Sequence, residues 1–293
     1  MRVAYFGPVG THTHVATRSA FPDTEELALP TIPAVIEAVA AGDVDCGVVP
    51  IENSTEGGVS STQDSLLQND VKLRGELVLE IAQCLCTREK ELADIKRVYS
   101  HPQALAQCRT WLATYLPRAE LVQAASTASA ARQVAGEPGT AAIASALAAE
   151  INGLSVLAQV QDRDENATRF VIVAREDAPP TGRDKTSLVF STAHERGALR
   201  RALEAFDAEN INLTRIESRP SASLSRTQPQ TRPPPPASSG GPPARSPEAR
   251  KWEYVFFTDI EGHRSDAPVK RALEKLALTC STVRVLGSYP RAG

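Results

Sequence analysis

Between Pro50 and Thr62 the chain reads PIENSTEGGVSST, directly behind the apolar run Cys46, Gly47, Val48, Val49. A turn needs one or two polar residues and a glycine. Here Glu52, Asn53, Ser54, Thr55 and Glu56 bring two carboxylates, an amide and two hydroxyls, with Gly57 and Gly58 behind them. Such a concentration of donors and acceptors at the end of a buried strand predicts a binding loop. Three further stretches carry chemistry. Gly7-Pro8-Val9-Gly10-Thr11 joins a strand to a helix; its glycines and the free N–H groups of the helix start suit an anion, or serve as a plain turn. It has no lysine in the Walker position and is too short for a dinucleotide fingerprint. In Ser100-His101-Pro102-Gln103, Ser100 reads as an N-cap and Pro102 as an early helix residue. Capping does not explain His101, or Gln103 and Gln107, which lie four apart on one helical face. Asn166-Ala167-Thr168-Arg169-Phe170 enters a strand behind Asp162, Asp164 and Glu165, so Arg169 either clamps a carboxylate or pairs with those acids.

These stretches need a scaffold that gathers strand ends. Short apolar runs at 2–6, 46–49, 77–86, 97–99, 121–123, 141–143 and 170–174 alternate with helical patterns at 13–20, 33–41, 102–115, 127–135 and 145–151. Alternation of this kind predicts an α/β sheet covered by helices, with ligands where strand C-termini meet loops. From Lys185 onward a second pattern runs strand 186–191, helix 197–209, strand 211–219, strand 252–261, helix 268–278 and strand 282–287. That βαββαβ order is ferredoxin-like. Between its middle strands the segment 221–251 is rich in proline, serine, glycine and arginine, with almost nothing apolar. It predicts a disordered insertion, and a tolerated loop is favoured over a recruiter of SH3-like partners.

Composition excludes several classes. The 293 residues carry a net charge of −3, 42% hydrophobic and 23% charged residues, which gives no electrostatic footprint for nucleic acid or membrane. No apolar run approaches the roughly 18 residues that span a bilayer. The chain opens on the strand-like Val3-Ala4-Tyr5-Phe6 without a charged leader, so a cytoplasmic location is expected. The five cysteines include no CxxC pair and are expected to be buried free thiols, with Cys84 and Cys86 on one strand face. His12 and His14 invite a metal reading, but neighbours two apart diverge at a helix start and no partner set stands nearby; no metal is expected.

Taken in order, GPVGTHTHVA, VVPIENSTEGGVSSTQDSL, YSHPQALAQC and NATRFVIV resemble the motif set of prephenate dehydratases. GALRRALEAF, INLTRIESRP and WEYVFFTDIEGH resemble the regulatory ACT domain that follows in that family. The resemblance implies a two-lobed catalytic domain of the periplasmic-binding type at 1–180 and an ACT domain at 185–290. It implies a carbon–oxygen lyase that turns prephenate into phenylpyruvate in phenylalanine biosynthesis without metal or organic cofactor. It ties Thr168 to catalysis and places Glu52 at a position linked to substrate handling, where Glu52 is a second catalytic candidate, the chemically stronger acid if burial raises its pKa. Thr11, Asn53, Ser54, Ser100, His101, Gln107, Arg169 and Phe170 are assigned to substrate. For an effector, expected to be phenylalanine at a subunit interface, it assigns Gly197, Ala198, Leu199, Asn212 and Glu217. A homodimer or homotetramer is expected. The family commonly has an aromatic where His12 stands and an acid where His14 stands. Arogenate dehydratase and a non-catalytic amino-acid sensor are the rival readings. With no chorismate mutase helix before Met1 and no dehydrogenase domain attached, a monofunctional enzyme is expected.

Overall fold

The computed structural model describes residues 1–162, 166–220 and 254–292. The insertion at 221–251 and the acids Asp164 and Glu165 lie outside the described residues. In chain order the elements are β1 (Arg2–Phe6), α1 (His12–Ala20), β2 (Glu25–Leu29), α2 (Ile32–Ala41), β3 (Cys46–Asn53), β4 (Gly57–Gly58), α3 (Ser60–Gln68), β5 (Lys72–Glu80) and β6 (Cys84–Thr87). They continue with β7 (Arg97–Ser100), α4 (Pro102–Gln107), α5 (Arg109–Tyr115), β8 (Glu120–Gln123), α6 (Thr127–Val134), β9 (Thr140–Ala144), α7 (Ala146–Ile151), β10 (Ser155–Gln159) and β11 (Ala167–Ala174). The last group is β12 (Asp184–Thr192), α8 (Ala198–Asp207), β13 (Leu213–Pro220), β14 (Tyr254–Glu261), α9 (Ala267–Thr279) and β15 (Cys280–Pro290).

The chain forms two compact units, one of Met1–Thr62 with Glu76–Val173, the other of Gln63–Gly75 with Ala174–Gly293. The first unit holds two sheets. One is ordered β2-β1-β3-β11-β5 with β4 on β3, the other β10-β6-β9-β7-β8. The chain leaves the first sheet after β5 and re-enters it at β11, so two segments join the lobes: residues 81–83 and the stretch between β10 and β11, of which 160–162 and 166 are described. They run side by side: Ile81 N–H donates to Asn166 O (2.7 Å) and Val160 N–H to Gln83 O (2.8 Å). The expected single strand at 77–86 is therefore two strands in two sheets. The run stays largely apolar through the break, with Glu80 at the end of β5 and Gln83 before β6 as its two polar residues.

Local signals explain most element ends. Thr31, Ser126 and Ser145 cap α2, α6 and α7 through their hydroxyls. The expected helix at 102–115 divides at Cys108 into α4 and α5. The cause lies far off in sequence: the Asp162 carboxylate accepts from the N–H groups of Thr110 (2.8 Å) and Trp111 (2.9 Å) and starts a new helix there. Burial pushes the Asp162 carboxyl up, but those donors outweigh it and hold it below its ordinary value. The N-cap of α4 is His101 rather than Ser100. The second lobe is packed on both sheet faces, Cys84 and Cys86 with Tyr99, Val134 and Ala148 on one, Leu85 with Val98, Leu112 and Ile143 on the other. Each large side chain so buried contributes about 1.5–3 kcal/mol relative to exposure.

The second unit carries the antiparallel sheet β13-β14-β12-β15 under α8 and α9, the ferredoxin-like arrangement. Residues 63–75 dock on it. Gln63 donates to Glu217 (2.8 Å), Arg219 to Asp64 (2.7 Å), and Arg284 to the carbonyls of Leu67 (2.7 Å) and Asn69 (2.6 Å). No helix among the described residues is long and apolar enough to cross a membrane.

Candidate active site

Antiparallel pairing of β3 with β11 sets Thr168 opposite Asn53 and Arg169 opposite Glu52, with a bulge before Phe170. Asn53 is the hub of a hydrogen-bonded chain. Its Oδ1 accepts from the main-chain N–H groups of Thr55 (3.0 Å) and Glu56 (3.2 Å) and from the Thr55 hydroxyl (2.6 Å). A main-chain N–H only donates, so this end of the amide is its carbonyl and Nδ2 faces the other way. Nδ2 donates to Thr168 Oγ1 (2.9 Å), Asn166 Oδ1 (2.9 Å) and Ala167 O (3.2 Å). Asn166 in turn donates through Nδ2 to Gln107 Oε1 (3.3 Å), which also accepts from Gln83 Nε2 (3.3 Å). Two N–H groups of the loop after β3 thus fix the direction of every amide in the chain. Thr168, accepting from Asn53, has its own proton free for another acceptor. Gln107, with its carbonyl engaged twice, keeps its NH₂ for the cleft it lines.

That cleft has a volume of about 740 Å³ and is lined by Thr55, Glu56, Gln103, Gln107, Arg109 and Asn166; Thr168 and Asn53 stand behind Asn166 rather than among its walls. Beyond it the lobes touch. Ser145 Oγ donates to Gly10 O (2.7 Å), and a Cβ on Gly10, whose φ is +89°, would lie 3.2 Å from Ala148 Cα. Glycine is required there on both counts.

Arg169 is expected to clamp a ligand carboxylate or to pair with Asp162, Asp164 and Glu165; Asp162 is engaged by the start of α5, and the other two acids lie outside the described residues. Its guanidinium lies between two carboxylates of adjacent strands, Nε (3.1 Å) and Nη2 (2.9 Å) on Glu52 Oε2 and Nη1 (3.1 Å) on Glu76 Oε2. The Arg169 side chain is 11% exposed, Glu76 2% and Glu52 35%. Glu52 is accordingly half of an ion pair, not a lone carboxyl in apolar surroundings. Ser54 extends the β3–β11 ladder, its N–H donating to Ala167 O (2.9 Å) and its Oγ accepting from Ala167 N–H (3.0 Å). Thr11 caps α1, accepting from His14 N–H (3.3 Å) and donating to Phe6 O (3.3 Å). Ser100 is fully buried and donates to Ile143 O (2.7 Å). His101 accepts from Gln103 N–H (3.4 Å), and Phe170 is buried in the core at 2% exposure. The structure therefore joins Asn53, Thr168 and Gln107 in one network. Ser100, His101 and Phe170 serve local structure beside them.

Sequence reasoning missed Asn166 and Gln83 as members of this network. Asn166 stands in the NATRF motif but carries no local mark of its role. Of the two histidines, His14 stacks on Tyr5 (4.7 Å) and pairs with Glu26 (2.9 Å). His12 Nε2 is buried without a hydrogen-bond partner, and burial pushes the imidazole down to about 4. Among the described residues no group of three His, Cys, Asp or Glu side chains could hold a metal ion.

In the second unit Gly197, Ala198 and Leu199 line a hollow of about 240 Å³ with His194, Tyr254 and Phe256. Asn212 and Glu217 are not among its walls. Glu217 is bound by Gln63 and Arg215, and Asn212 O accepts from Glu261 N–H (3.0 Å).

A family model described as prephenate dehydratase matches residues 3–178. Over 295 residues the chain is 42% identical to the bifunctional chorismate mutase/prephenate dehydratase of Stutzerimonas stutzeri, covering 100% of this chain and 74% of that one. The crystal structure of prephenate dehydratase from Arthrobacter aurescens in complex with L-Phe is 34% identical, with a TM-score of 0.82 over 100% of this chain and 90% of that one. A protein described as GqqA, a novel type of quorum quenching acylase, is 31% identical at a TM-score of 0.82, over 100% and 98%. A family match across more than half of the chain, with a relative this similar over the whole of this chain, leaves one assignment: the chain belongs to the prephenate dehydratase family.

Proposed function

We propose that this protein converts prephenate to phenylpyruvate in the cleft of the first unit and answers to phenylalanine through the second. In the reaction the ring carboxylate leaves as carbon dioxide, its C–C electron pair enters the ring, and the ring hydroxyl leaves as water with one proton taken up. The observation that carries this reading is the fixed polarity of the amide chain. Thr168 accepts from Asn53 Nδ2 and so offers its own O–H to the departing oxygen. A hydroxyl that is already accepting donates more strongly. Threonine is too weak an acid to ionise near neutral pH, so Thr168 lends a hydrogen bond, and the net proton reaches the departing hydroxide from solvent. Glu52, paired with Arg169, orients the β3 end of the site. The Gln107 NH₂ faces a substrate carboxylate, with Ser54, Ser100, His101, Thr11 and Phe170 holding the loops and strand that present these groups.

Acyl transfer, the activity described for GqqA, is not favoured. A threonine nucleophile needs a base within hydrogen-bond reach. The group on Thr168 Oγ1 is an amide NH₂, which can only donate. The matches likewise do not favour the arogenate or sensor readings.

The regulatory half rests on the bound L-Phe of the Arthrobacter aurescens relative and on the hollow at Gly197, Ala198 and Leu199. In this reading residues 1–180 are catalytic, 185–290 regulatory, and the protein is a cytoplasmic homodimer or homotetramer. Asn212 and Glu217, apart from the hollow in one chain, face the effector from a second copy. The test is phenylpyruvate formation by purified protein without added metal, with and without phenylalanine, and with arogenate in parallel. Turnover of prephenate depressed by phenylalanine is expected. Folded protein that does not turn over prephenate overturns the catalytic reading, and turnover indifferent to phenylalanine overturns the regulatory one.

A further inference from the structure

Gln83 lies in the first connection between the lobes and is 4% exposed. Both of its main-chain groups are held by the second connection. Its N–H donates to Gln161 Oε1 (3.0 Å) and its carbonyl accepts from Val160 N–H (2.8 Å). Its side chain points at the site, Nε2 donating to Gln107 Oε1 (3.3 Å). The other end of the same amide, Oε1, is buried without a hydrogen-bond partner. An unmet buried acceptor is destabilising. An apolar side chain of equal length would avoid that cost here, so what glutamine adds at this point is its NH₂ on Gln107.

We infer that Gln83 is a positioning residue for the dehydration, acting through Gln107, an inference that rests on the proposed function. Two donors, Gln83 and Asn166, occupy the Gln107 carbonyl and leave its NH₂ as the end presented to the cleft. With Gln83 removed, a single donor holds the amide. A half-turn about its last bond then exchanges the NH₂ for a carbonyl oxygen, which repels a carboxylate. With the substrate's side-chain carboxylate as the group Gln107 meets, that charge is the same before and during the reaction, so the loss falls on binding rather than on the chemical step. The arrangement also ties site geometry to the crossing between lobes, because the residue that orients Gln107 is itself held by both connecting segments.

The test is a double-mutant cycle on prephenate turnover. In the wild-type background Gln83→Leu is expected to raise KM about tenfold, with kcat within threefold and the melting temperature little changed. In a Gln107→Leu background the same substitution is expected to change KM less than twofold. Gln83→Met, unbranched and also lacking the donor, repeats the measurement if the leucine variant does not fold. Equal effects in both backgrounds, or an unchanged KM in a folded Gln83 variant beside an active wild type, overturn this inference alone. No turnover by the wild type overturns the proposed function and this inference with it.

Discussion

Arg169 offers a sharp test of how the site is built, because two roles predict opposite outcomes for one substitution. As an anchor for substrate, Arg169→Met raises KM and leaves stability alone. As the cation between Glu52 and Glu76, it leaves two carboxylates facing across β11 with the intervening charge gone. Glu76 is 2% exposed and Arg169 11%, so the Arg169–Glu76 pair is desolvated, and loss of one partner of such a pair costs about 3–5 kcal/mol. Against a total stability of about 5–15 kcal/mol this is a large fraction. At about 2–4 °C per kcal/mol for a chain of this size, the melting temperature falls by roughly 10 °C. Urea denaturation and thermal unfolding of Arg169→Met measure this. Adding Glu76→Gln removes one of the two carboxylate charges and should recover part of the loss. A melting temperature within about 2 °C of wild type, together with a KM raised many-fold, would refute the reasoning and return Arg169 to the substrate.

Three further outcomes are expected. Thr168→Ala lowers kcat by roughly 10²–10⁴, the range of a lost proton-transfer or oxyanion partner, while Thr168→Ser retains most activity; near-normal turnover of the alanine variant removes Thr168 from the mechanism. His12 is held neutral down to about 4, whereas the unfolded residue protonates near 6.5, so below 6.5 the unfolded chain binds the extra proton and stability falls until about pH 4. This contributes about 3 kcal/mol of acid destabilisation, and His12→Phe is expected to flatten that limb of a stability–pH curve; an unchanged limb refutes it. In the second unit a Cβ on Gly287 would lie 2.2 Å from the main-chain carbonyl oxygen of Leu73 and 2.6 Å from its nitrogen. Gly287→Ala is therefore expected to destabilise by more than about 2 kcal/mol in urea denaturation, well beyond an ordinary surface change.

Sequence and structure agree where the signal is local. The apolar runs of β1, β3 and β9 and the βαββαβ order of the second unit were legible because each depends on residues a few positions apart, whereas the hydroxyl expected to cap α4, Ser100, is replaced there by His101. The break at 81–83 was not legible, since whether a strand ends there is decided by which sheet the chain joins next, and β2, with Glu25 and Glu26 in it, carries little apolar signal at all. The same distinction runs through the site. The residue types at Glu52, Asn53, Gln107 and Thr168 were visible in the motifs. The direction of their amides was not, because it is set by two main-chain N–H groups in the loop at Thr55 and Glu56. Nor could the sequence show that Arg169 meets Glu52 and Glu76, which lie 117 and 93 residues upstream, or that Asp162 is committed to α5.

The return of β11 to the first sheet bears on how the chain is made. Strand β3 leaves the ribosome long before its neighbour, for Asn53 and Thr168 are 115 positions apart. At about 5–20 residues per second that interval is on the order of ten seconds. During it one edge of β3 presents unpaired N–H and C=O groups, the kind of edge on which nascent chains aggregate. The second lobe, contiguous in sequence, has all its strands by then and can fold as an insert. The first lobe is sealed only when the Thr168 segment arrives, so the strand that completes the sheet is also the one that brings Thr168 to Asn53, and a nascent chain has neither a finished first lobe nor that hydrogen-bonded chain before that moment.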